Sequence, residues 1–258
     1  MNRNLAIALG AIFLTAMSLQ SGPGGAARQM VLVVAKDWST TAATVYRLER
    51  DSPKNPWRMA GNPVKAILGR TGLAWDEETG RAASGQPFKK EGDGKSPAGI
   101  FGIGTVYGAA PANSPDVQKF HLPYRQVTSD LECVDDVKSA QYNRLVERSR
   151  IASPDWDSSE KINSLTGSVY RWLAVIDYNH NGSRKGAGSC IFLHVASADG
   201  RGTAGCTALK EPDLLELFHW IDPRKSPVIV QTAADGLDAL KRSQPALLEK
   251  LPSLPPAE

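Results

Sequence analysis

The sequence is poor in the features that would announce several common functions. Its 258 residues include only four histidines and three cysteines. None of His121, His180, His194 and His219 stands at metal-ligand spacing from the others, so no metal centre is expected even though Asp135 and Asp136 lie beside Cys133. Lysines and arginines are scattered rather than blocked and the formal net charge is only +3, which removes the electrostatic footprint of a nucleic-acid binder. There is no internal repeat. Beyond Leu19 no segment is apolar enough to cross a membrane, and no cysteine follows the N-terminal apolar run, which argues against a lipid anchor.

That N-terminal run is the first feature present. Met1-Asn2-Arg3-Asn4 supplies a positive start, Leu5 to Leu19 is almost wholly apolar, and a small-residue region ends at Gly25-Ala26-Ala27. The pattern is that of a secretory signal peptide over residues 1–27, with an uncleaved membrane anchor as the alternative. A run of this length is short for a span, which takes about 20 residues. An exported, periplasmic or cell-envelope location follows, in which the N-terminal segment is the only expected contact with a membrane. The oligomeric state is not legible.

Export changes the meaning of three cysteines, because disulfides persist outside the cytoplasm. The simplest division is one pair and one free thiol, and three pairings are open. Cys206 sits in a glycine-rich turn that suits a nucleophile, which leaves Cys133 and Cys190 as the disulfide candidates. An unpaired, buried Cys190 is the alternative.

Most of the chain consists of short apolar runs broken by Gly and Pro: Met30 to Ala35, Ala42 to Leu48, Val64 to Leu68, Val169 to Tyr178, Cys190 to His194 and Val228 to Gln231. This predicts a mainly β, sandwich-like, antiparallel fold with a few short helices. Residues 28–232 are expected to form the main folded domain. Asp157 to Glu160 has capping-box character, predicting a helix from Ser158 toward Leu165 with Trp156 as its apolar staple. Leu214, Leu215, Leu217, Phe218 and Ile221 have helical spacing. Residues 233–258, with one amphipathic segment and a Pro-rich end, are expected to be an appendage.

The chemistry is expected in Gly186 to Leu209. His194 ends an apolar strand, and Gly205 precedes Cys206 in a turn that exposes backbone N–H groups to a developing oxyanion, with Thr207 next to it. Along an extended strand Cys190 would be about 13 Å from His194, too far to be its partner. Lys95, in the loop Phe88 to Phe101, and Asp135, Asp136 and Tyr142 are candidates for shaping the cleft.

The ordered motifs GDGKSPAGIF, ECVDD, GSCIFLHV, GTAGCTAL and PVIVQ resemble the L,D-transpeptidase (YkuD-type catalytic domain) family, specifically its secreted bacterial branch, from about Val64 to Gln231. The resemblance implies a β-sandwich-like domain, a Cys206 nucleophile, a His194 base and a turn at Gly205 for the oxyanion. Peptidoglycan tetrapeptide stems would be the substrate, crosslinked through a thioester, with no metal or organic cofactor. An L,D-carboxypeptidase using the same thiol, or a non-catalytic envelope-binding module, are the alternatives. Ala204 and Ala208 stand where the family carries polar residues, so the resemblance does not supply the group that holds the donor's carboxylate.

Overall fold

The computed structural model describes residues 26–80, 85–162, 169–182 and 184–255. The expected signal segment therefore lies outside the described residues, apart from its last two. The strands are β1 (Gln29–Ala35), β2 (Ala42–Glu49), β3 (Arg58–Met59), β4 (Val64–Ile67), β5 (Leu73–Trp75), β6 (Ser96–Gly108), β7 (Tyr124–Gln126), β8 (Leu131–Val134), β9 (Leu145–Glu147), β10 (Ser159–Lys161), β11 (Trp172–Ile176), β12 (Phe192–Val195), β13 (Thr207–Leu209) and β14 (Val228–Ala233). The helices are α1 (Glu77–Gly80), α2 (Glu211–Trp220), α3 (Gly236–Ser243) and α4 (Pro245–Leu248).

The fold is mainly β. In the large sheet the order β1-β14-β6-β11-β12-β13-β4-β2 returns on itself, because β2 also pairs with β1, and the result is a barrel-like closure. Every residue of β1 is buried, as its unbroken QMVLVVA run requires of a strand between two neighbours and covered on both faces. The antiparallel expectation holds for most pairings, but β1–β14, β12–β13, β5–β6 and β6–β7 are parallel. The β1–β14 pair joins segments distant in sequence, and the other three join consecutive strands through connections longer than a tight turn, so hairpin signals do not reveal them. Helix α2 buries Leu214, Leu217 and Phe218 against the barrel, on the predicted spacing.

A second sheet, in the order β10-β8-β9, lies beside the barrel. Its β10 replaces the expected helix from Ser158. The reason is local: the Ser158 hydroxyl donates to Asp135, the Asp157 N–H donates to Asp136 Oδ2 (2.9 Å), and the Trp156 indole donates to Glu132 Oε1 (2.9 Å). With its capping groups taken, the segment pairs with β8 and sets Glu160 opposite Cys133. The rest of the predicted helix, residues 163–168, lies outside the described residues.

The segment after Ala233, expected to be an appendage, contributes Leu240, Leu247 and Leu248 to the main core. The Trp57 indole donates to Leu247 O and the Tyr46 hydroxyl to Pro255 O (2.6 Å each), so the C-terminal segment closes the β2–β3 side of the barrel.

Candidate active site

Along β12 the side chains separate as period-two alternation dictates. Leu193 and Val195 enter the main core, while Phe192 faces outward into a small apolar cluster with Leu131 and Cys133 of β8, Leu173 of β11, Cys190 and Cys206. His194 shares the outward face, its ring edge-on to Tyr170 at 5.2 Å. The candidate site thus occupies the seam between the barrel and the small sheet. A Cys133–Cys190 disulfide crosses that seam, and Cys206 is the free cysteine.

Three tethers fix the turn that carries Cys206. The Thr203 N–H donates to Leu68 O (2.9 Å), and Thr203 O accepts from the Arg70 N–H (2.8 Å). The Thr203 hydroxyl accepts from the Gly205 N–H (3.1 Å) and donates to Cys206 O (2.7 Å). The buried Ser96 hydroxyl donates to the same carbonyl (2.9 Å). Gly205 has φ +158°, which side-chain-bearing residues rarely adopt, and room there is short as well: a Cβ would lie 3.1 Å from Lys95 O and 3.2 Å from the Ile191 side chain.

The parallel register sets Leu193 beside Thr207 and His194 beside Ala208. Cys206 therefore neighbours Phe192, and the Phe192 N–H donates to its sulfur at 3.3 Å. The Cys206 thiol in turn points toward Cys190 O (3.4 Å). His194 lies one same-face step farther along β12, about 7 Å of strand. Among the described residues no hydrogen bond joins His194 to the sulfur. Its Nδ1 is 2.8 Å from Val195 O. Since a carbonyl only accepts, Nδ1 carries the proton and Nε2 keeps a lone pair, the form required of a base.

Burial governs the electrostatics. It drives the His194 pKa down to about 4, against the smaller opposing effect of the Val195 carbonyl. Burial first, and the Glu160 carboxylate second, push the Cys206 thiol far above its ordinary value. The resting pair is neutral thiol and neutral imidazole, because separated charges would go unsolvated in the seam. The His194 shift also has a stability sign. The unfolded chain takes up a proton below about pH 6.5 and the folded one does not, so the folded state loses stability as pH falls through that value toward 4.

A cavity of about 170 Å³ opens over Cys206, walled by Arg70, Lys89, Glu91, Asp135, Glu160 and Gly205 among others. Of the cleft candidates, Asp135 lines it and accepts from Ser158. Lys95 does not line it: its ammonium donates to Thr71 O (2.6 Å), and Lys89 from the same loop takes the wall position. Asp136 is a turn residue that accepts the N–H groups of Lys138 and Asp157. Tyr142 is fully buried behind the wall and acts through Glu91, to which its hydroxyl donates (2.5 Å). The Thr207 side chain points into the barrel and donates to Gln231. Glu160, Tyr170, Glu91, Lys89 and Arg70 had no signal in the sequence. Long-range pairing brings Glu160 here, where Tyr170 donates to it and burial raises its pKa.

The model of the family described as the L,D-transpeptidase catalytic domain (YkuD) matches residues 69–230, a span that includes Arg70, Lys89, Glu160, His194 and Cys206. No curated protein and no solved structure matches the chain.

Proposed function

The chain belongs to the L,D-transpeptidase catalytic domain family, and from that premise we propose that it is an exported enzyme that crosslinks peptidoglycan through a thioester on Cys206. The observation that carries this reading is the arrangement at the seam: a buried thiol under a small cavity, on a turn held by Thr203 and Ser96, with the Nε2 lone pair of His194 on the same face of β12.

The donor is a tetrapeptide stem, attacked at the carbonyl of the L-centre before the terminal D-residue. The sulfur bonds to that carbon as the thiol proton passes to His194 Nε2. The carbon–nitrogen bond then breaks, and His194 returns the proton to the departing amine. An amine of a second stem attacks the thioester, the carbon–sulfur bond breaks, and the proton lost by the amine restores the thiol. Burial suits both halves of this exchange. With a thiol pushed up and an imidazole pushed down, proton transfer accompanies attack rather than preceding it, and the imidazolium formed is acidic enough to protonate a poor leaving group. The Cys206 N–H at the turn supports the oxyanion, a donor worth about 3 to 4 kcal/mol in comparable sites.

Incubation with a tetrapeptide-bearing muropeptide, followed by intact-mass analysis, tests the reading. The expected result is a covalent adduct that has lost the terminal D-residue, absent from Cys206→Ala. Tripeptide crosslinks among the products identify a transferase and free tripeptide a carboxypeptidase, whereas a folded, reduced protein that forms no adduct overturns both. The pH profile gives a second check. Acylation needs neutral His194, so its rate should hold from about pH 8 down to 5 and fall only as pH approaches 4; an acid limb centred near 6.5 would mean that the imidazole is solvated during turnover.

A further inference from the structure

Among the described residues, every charged group around the Cys206 cavity has a partner except one. Lys89 donates to Asp93 (2.7 Å) and to Lys90 O (2.8 Å). Glu91 accepts from Tyr142 (2.5 Å) and Ser189 (2.7 Å), Asp135 accepts from Ser158, and Glu160 accepts from Tyr170. Arg70 lines the same cavity, is exposed, and its guanidinium has no hydrogen-bond or ion-pair partner among the described residues. We propose that Arg70 binds the terminal carboxylate of the peptide attacked by Cys206. The proposal rests on the acyl-transfer reading above and deepens it by naming the group that recognises the donor's end.

Three observations support the assignment. Arg70 is fixed to the nucleophile's turn, since its N–H donates to Thr203 O (2.8 Å), and Thr203 in turn bonds Cys206 O. Two glycines flank Arg70, Gly202 against its backbone and Gly94 against its side chain. A Cβ on Gly202 would fall 2.4 Å from Arg70 Cα, and one on Gly94, whose φ is +69°, would fall 3.1 Å from the guanidinium carbon. Glycine is thus required on both sides of this arginine, at Gly94 for conformation as well as room. The third observation is charge. Glu91, Asp135 and Glu160 outnumber Lys89 on the cavity wall, and Lys89 is already paired with Asp93, so Arg70 is the cation left to seat an incoming carboxylate, which its planar guanidinium matches with two parallel hydrogen bonds.

The chemistry of the donor explains why a carboxylate belongs beside the thiol. In a peptide about to lose its last residue, only the amide nitrogen and one α-carbon separate the attacked carbonyl from the terminal carboxylate. A cation held to the nucleophile's own turn therefore selects the bond next to a chain end and refuses internal peptide bonds. A stem with a diamino acid at its third position offers a second carboxylate, farther from the scissile bond, and the test separates the two.

Binding is measured by calorimetry with Cys206→Ala protein, which cannot turn over, using a tetrapeptide with both carboxylates free, one amidated at the terminus and one amidated on the side chain. Terminal amidation should weaken binding roughly 10- to 100-fold, the usual worth of a charge-assisted contact, and side-chain amidation should change it little. With Arg70→Gln added, the free and terminally amidated peptides should bind equally weakly, and Arg70→Lys should restore part of the preference. An undiminished terminal preference in Arg70→Gln, a preference for the side-chain carboxylate instead, or no binding of any peptide overturns the proposal. Should the Arg70-dependent preference appear while wild-type protein forms no acyl adduct, the transfer reading falls and the carboxylate site stands.

Discussion

His194→Ala is expected to slow acyl-enzyme formation by roughly 10²- to 10⁴-fold, the range over which a positioned general base acts. The Nδ1 hydrogen bond to Val195 O leaves Nε2 as the proton acceptor on the thiol's side of β12, and His194 reaches the sulfur from behind the cavity wall, which no histidine lines among the described residues. Because His194 is only 5% exposed, alanine also leaves a void beside Tyr170. His194→Gln, which fills more of it, separates lost packing from lost basicity. Both variants should be slow, and added imidazole should restore part of the rate to the alanine variant alone, where it has room to bind. Quenched time courses followed by intact mass give the rates, with melting curves as a check on folding. Acylation within fivefold of wild type in either variant would remove His194 from the chemistry.

The second large effect concerns stability. The Cys133–Cys190 bridge closes a loop with a sequence separation of 57, for which the chain-entropy model gives about 4 kcal/mol. In a chain of this size that corresponds to a melting point lower by about 8 to 16 °C. Thermal melts of Cys133→Ala/Cys190→Ala, and of wild type under strong reductant, should both show it; a drop below about 2 °C would mean that the small sheet is held by packing alone. The bridge also spans the candidate site. Cys133 pairs with Glu160 across β8 and β10, so releasing it loosens the wall that carries Asp135 and Glu160. Peptide acylation should consequently fail at temperatures where the barrel is still folded.

Much of this arrangement was legible because it is local. The Ile191–Val195 run specifies a strand with two faces, and the glycine before Cys206 marks a tight approach. The hydrophobic runs of β1, β2 and β14 and the spacing in α2 needed no knowledge of their partners. What escaped is long-range. The Ser158 hydroxyl, the Asp157 N–H and the Trp156 indole, which would start a helix there, donate instead to Asp135, Asp136 and Glu132, and those partners lie more than twenty residues away. Lys95 and Lys89 look equivalent in sequence, and only the course of the loop sends the first to Thr71 O and the second to the cavity wall. Arg70 resembles any surface arginine until the bridge between Gly69 and Thr203 brings it to the cysteine's turn.

The pairing of β1 with β14 has a consequence in time rather than space. The ring closes through the first strand and the last, side by side and parallel. A chain delivered from its N-terminus can form the β1–β2 hairpin at once, but the outer edge of β1 and the neighbouring edge of β6 wait for nearly the whole polypeptide. Closure is thus a late, high-contact-order event. Until it happens the chain offers two open hydrogen-bonding edges, the feature that makes incomplete sheets prone to associate.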